Sequence, residues 1–115
     1  MYKIKSRKIS YKTKRGNMSG LNCYIVSYDI KEPTRLRQVH NTVEGFGSPL
    51  HYSVFRCDLS KKSKVELIAA LTDIINSDED SVMIINLGPA NKNLDKKITF
   101  IGQKPEVEEE DFIIV

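Results

Sequence analysis

Cys23-Tyr24-Ile25-Val26-Ser27-Tyr28-Asp29-Ile30 is the stretch whose reading decides the fold. Its β-branched and aromatic side chains fall on both faces of an extended chain, as they do in a strand inside a sheet. The strand reads as ending at Asp29. From Pro33 the apolar period becomes helical, with Leu36, Val39, Val43 and Phe46 in step. Pro33 suits a first helical turn, and Gly45 and Gly47 suit the exit.

Residues 49–59 are extended in character but long for one strand, so a bend near Ser53 divides them. Ser60 is a good N-cap for a second helix reaching about Asn76, in which Val65, Ile68, Leu71, Thr72 and Ile75 form a broad buried stripe. Lys61, Lys62 and Lys64 stand in its first turn, against the sign the helix dipole prefers; a nearby phosphate or plain solvation accounts for them. Residues 81–87 make a further strand with apolar groups on both faces. A polar loop from Pro89 to Lys97 follows, then a short strand from Ile98 to Ile101. The chain closes on Phe112, Ile113, Ile114 and Val115 just after a run of acids, an apolar end that needs a sheet edge to pair with, in this chain or a second copy.

This order predicts an α+β, ferredoxin-like βαββαβ sandwich with extra C-terminal strands and both helices on one sheet face. The other face lacks a cover, which a twofold partner supplies most simply by packing sheet against sheet. The expected organisation is a basic, flexible extension over residues 1–22, the ferredoxin-like domain over 23–102, and an acidic linker with a terminal strand over 103–115, packed on the partner.

Bulk properties bound the function. The chain has 115 residues, 40% apolar and 29% charged, enough for one core and too few for two. Its net charge of +3 hides a polarity. Lys3, Lys5, Arg7, Lys8, Lys12, Lys14 and Arg15 precede the first acid, whereas Glu106, Glu108, Glu109, Glu110 and Asp111 crowd the other end. A basic arm fits a phosphate-rich partner through counterion release, and equally a solvated tail. Cys23 and Cys57 have no metal-ligand spacing with His40 or His51, which argues against structural zinc. No apolar run is long enough for a bilayer and the N-terminus lacks a secretory core, so no membrane association and a cytoplasmic location are expected.

Asp29 at a strand end is a candidate metal ligand and equally a turn-making acid. Lys31, Arg35 and Arg37, in the loop and helix after it, have the chemistry to face backbone phosphates, since a guanidinium offers a planar fork of donors. Tyr28, Tyr52 and Phe55 have the rings to stack on bases, but strand aromatics also serve core and interface; Tyr28 and Phe55 are assigned to packing, with Phe112, Ile113 and Ile114 as interface residues. His40 and His51 form no triad-like order with a Ser or Cys and an acid, and no Gly-rich phosphate loop follows a strand.

Four blocks, Tyr24 to Ile30, Arg35-Leu36-Arg37, Gly45-Phe46-Gly47 and Tyr52-Ser53-Val54-Phe55, together resemble the signature of the small CRISPR adaptation proteins, the "Cas two" family. The resemblance covers about residues 23 to 115. It implies a ferredoxin-like homodimer that joins the CRISPR integrase, "Cas one", to capture short duplex DNA and insert it as a spacer. It also implies a second activity, magnesium-dependent endonuclease on RNA or duplex DNA, with Asp29 of each protomer as catalytic and metal-binding residue and Mg2+ or Mn2+ as cofactor. A carboxylate must be ionised to bind metal, so binding strengthens as pH rises. A ferredoxin-like ligand-sensing or toxin-type dimer is the third reading. Two positions depart from the pattern: His51 stands where a Gln is common, and Arg56 where an acid is common. Residues 1–17 match nothing in it and read as an extension upstream of Met18.

Overall fold

Each strand of the computed structural model, which describes residues 18–103, alternates core and outer side chains as its sequence requires. The expectations for residues 1–17 and 104–115, including Phe112, Ile113 and Ile114 as interface residues, lie outside the described residues. The first strand, β1 (Asn22–Asp29), sends Tyr24, Val26 and Tyr28 to the core. Helix α1 follows at Pro33–Glu44, with Pro33 in its first turn and Glu32 as N-cap, its side chain accepting from Arg35 N at 2.7 Å. The backbone N–H groups of Arg35 and Thr34 hold the half-buried Glu32 carboxyl below its usual range.

Residues 48–59 divide as the bend at Ser53 predicts, into β2 (Ser48–His51) and β3 (Val54–Leu59). Ser53 sits in the left-handed region at φ 60°. Helix α2 (Lys61–Ile74) starts on Ser60, whose Oγ accepts from Ser63 N at 3.1 Å. Strand β4 (Ser81–Pro89) and a 3-10 helix (Lys92–Lys97) complete the described order. The sheet runs β2-β3-β1-β4 with every neighbouring pair antiparallel, the arrangement of two interleaved βαβ units.

Both helices pack on one face. Val39 and Val43 of α1 and Leu67 and Leu71 of α2 close over Tyr24, Val26, Tyr28, Phe55, Cys57 and Leu59. The buried stripe of α2 differs from the one expected: Leu67 and Leu71 are inside, Ile74 and Ile75 half inside, while Val65 and Ile68 are exposed. Lys64 explains the rotation, since its ammonium lies 5.0 Å from the Tyr24 ring centre and its stem occupies the sheet-facing side.

The expected strand over Ile98–Ile101 does not form among the described residues; the segment is extended without ladder partners, and Ile101 is 95% exposed. It crosses the outer sheet face instead. There Phe100 stacks on His51, with centroids 6.4 Å apart and planes 10° from parallel. Gly47, after α1, is the close-approach glycine: a Cβ there meets Arg56 O and both Sγ and Cα of Cys57. Gly47→Ala is therefore expected to cost about 1–3 kcal/mol in urea denaturation. An unchanged midpoint contradicts this packing.

Candidate nucleic-acid and metal interface

Asp29 is the last residue of β1 and, by strand alternation, points to the outer face, opposite the helices. Its side chain is 70% exposed, and its nearest charged group is Lys31 Nζ at 3.2 Å. An exposed pair of this kind contributes less than about 1 kcal/mol, so a cation or phosphate can displace it. Among the described residues no cluster of three or more His, Cys, Asp or Glu is placed to hold a metal. Asp29 thus fits a hard, oxygen-seeking ion such as magnesium only as one ligand of a site completed by water, phosphate or a second copy.

The loop after Asp29 is fixed from below by Asp80. This buried carboxylate accepts from Lys31 N at 2.9 Å, Asn76 N at 2.9 Å, Arg35 Nε at 2.7 Å and Arg35 Nη2 at 3.2 Å. It ties together the β1–α1 loop, helix α1, the end of α2 and the start of β4, whose Ser81 pairs with Asp29. The Arg35 fork beside it, with the two backbone N–H groups, holds the Asp80 carboxyl well below the usual carboxylate range; Arg35 is shifted upward by the same bonds.

Arg35 also donates to Glu79 at 2.9 Å. Two acids of the α2–β4 turn thus engage Nε and Nη2 of Arg35, which positions the loop. Lys31 is exposed beside Asp29 and Arg37 is exposed on α1, with no ion pair of Arg37 formed among the described residues.

Tyr28 and Phe55 are core residues, with rings 6.3 Å apart. The Tyr28 hydroxyl lies 2.8 Å from His40 Nδ1, and His40 Nε2 lies 3.5 Å from Glu44. His40 meets Phe55 edge-on at 5.5 Å. Burial, opposed by a Ser53 side-chain bond and helped by Glu44, pushes the Tyr28 phenol up to about 12, so it stays protonated at neutral pH. His40, which carried no weight in the sequence, joins α1 to the sheet; its place three and four residues from Val43 and Glu44 was the available signal.

On the outer face Arg56 is buried and bonds Asp58 at 3.1 and 3.2 Å, Asp95 at 2.8 Å and the Asn91 carbonyl at 3.0 Å. It staples the segment after β4 onto β3. Cys23, beneath it, is fully buried, and burial pushes its thiol up to about 11, which rules out a ready thiolate nucleophile. The β1–β4 half of the same face is different: Met83, Ile85 and Leu87 are 56%, 41% and 50% exposed. An apolar strip thus runs along the sheet toward Asp29.

Residues 22–94 match the family model described as CRISPR associated protein Cas2. Over 80 residues the chain is 44% identical to a CRISPR-associated endoribonuclease Cas2 of Geobacter sulfurreducens, covering 70% of this chain and 83% of the relative. It is 33% identical over 103 residues to a like-named protein of Rhodospirillum rubrum, covering 90% and 98%. A CRISPR-associated endonuclease Cas2 of Halalkalibacterium halodurans is 30% identical over 95 residues, covering 78% and 96%. The crystal structure of Streptococcus pyogenes Cas2 superposes with a TM-score of 0.61 at 26% identity, over 70% of this chain and 99% of that one. Among the described residues no helix is long and apolar enough to cross a membrane.

Asp80 gives the site a pH signature. A carboxyl depressed in the folded state stabilises it fully above the unfolded value, near about 3.9, and loses that contribution as pH falls toward the folded value. Asp80→Asn should lower the thermal midpoint at neutral pH, and the gap to wild type should narrow below about pH 4. A gap independent of pH would contradict the clamp.

Proposed function

The chain belongs to the CRISPR-associated Cas2 family, and from that premise we propose that two copies join through their open sheet faces and grip duplex DNA beside the CRISPR integrase during spacer acquisition in the cytoplasm. The apolar strip of Met83, Ile85 and Leu87 carries this reading, because a twofold partner on it removes those side chains from water. Its cost when uncovered is what a homodimer relieves. Lys31 and Arg37 then supply phosphate contacts from each copy, which position a duplex without reading its bases.

A second reading, magnesium-dependent endonuclease, is favoured by the exposed Asp29 and by the endonuclease and endoribonuclease names of the relatives. A twofold axis near the strip would bring two Asp29 carboxylates toward one site. A divalent ion bound there supplies a polarised phosphate and an activated water. Asp29 would hold it, Lys31 would exchange its carboxylate partner for a phosphate oxygen, and the Asp80–Arg35 clamp would keep the loop in register.

A spacer-integration assay with the cognate integrase separates the readings. Asp29→Asn should retain integration, whereas Lys31→Ala with Arg37→Ala, which removes four cations from a dimer, should weaken duplex binding and reduce its salt slope by about four, roughly one per lost phosphate contact. Integration untouched by losing both cations contradicts the bridging role. Magnesium-dependent cleavage that disappears in Asp29→Asn establishes the second activity.

A further inference from the structure

Tyr52 is the exposed aromatic of the described fold. Tyr24, Tyr28 and Phe55 are buried in the core, but Tyr52 is 80% exposed at the two-residue tip between β2 and β3. The tip has a defined shape. Ser53 takes a left-handed backbone, and its carbonyl accepts from Tyr28 N at 3.2 Å, so the tip extends the β1 ladder to the residue before Asp29.

The ring is braced as well as displayed. His51 meets it edge-on, with centroids 5.5 Å apart and planes at 86°, and His51 is itself stacked on Phe100. An aromatic ring displayed in water with one face open is a surface suited to a flat partner. Lys31, beside Asp29 at the same end of the sheet, supplies charge for a phosphate chain.

We propose that Tyr52 is a stacking platform for an unpaired nucleobase, so that the Asp29 end of the fold accepts single-stranded nucleic acid or the splayed end of a duplex. This rests on the nucleic-acid reading above and deepens it. A base within a duplex has both faces covered by its neighbours, and only one released from the stack can lie on an external ring. Stacking tolerates every base, so the platform selects for strandedness and not for sequence.

The chain contains no Trp, so Tyr52→Trp places one indole at the tip. The full chain is titrated with a mixed-sequence single strand, an abasic strand of equal length and charge, and a blunt duplex. The base-bearing strand should quench the indole and the abasic strand should not. Tyr52→Ala should weaken the base-bearing strand about tenfold or more while leaving the abasic strand unchanged, and Tyr52→Phe should restore wild-type affinity. Equal binding of both strands without quenching overturns the proposal while leaving phosphate gripping intact. An indole already shielded from acrylamide in the free protein also overturns it, since the tip is then covered by another copy. Binding of none of the three probes overturns both readings together.

Discussion

A four-stranded sheet has two faces, and the two described helices cover only one. Everything else about this molecule follows from how the second face is treated. On the β2–β3 half the chain covers itself: Arg56 holds Asp95 and Asn91, and His51 holds Phe100. On the β1–β4 half Met83, Ile85 and Leu87 stay exposed. Asp29 stands at the end of that open half.

The end of the sheet that carries Asp29 is tied down by buried charge. Asp80 collects donors from three separate segments and satisfies all of them at one buried carboxylate, which fixes the loop bearing Lys31 without using Asp29 itself. The division of labour is plain. Buried charge builds the frame, and exposed charge beside it stays available to a ligand. Arg35 and Arg37, two residues apart on one helix, fall on opposite sides of that division.

Much of this was legible in the sequence because it rests on period. Apolar groups on both faces of residues 23–30 gave an interior strand, Ser60 marked the second helix, and the bend at Ser53 split the hairpin. The buried stripe of α2 was misjudged because Lys64 reads as a charged surface residue, while its stem can lie on an aromatic ring. The late strand at Ile98–Ile101 was misjudged for a related reason: its apolar residues need cover, and period does not tell a ladder from a crossing over a sheet face. The tie from Arg35 to Glu79 and Asp80 was not legible, because those acids lie more than forty residues away in sequence. The two departures from the family pattern, His51 and Arg56, became intelligible only in three dimensions, where both hold the crossing segment down.

The central claim is that the open β1–β4 face is where two copies meet. Sedimentation equilibrium of the full chain and of Ile85→Glu, at matched concentrations and salt, addresses it directly. A dimer for the wild type and a folded monomer for the variant is the predicted outcome. A wild type that remains monomeric, or a variant that dimerises as well as its parent, contradicts it.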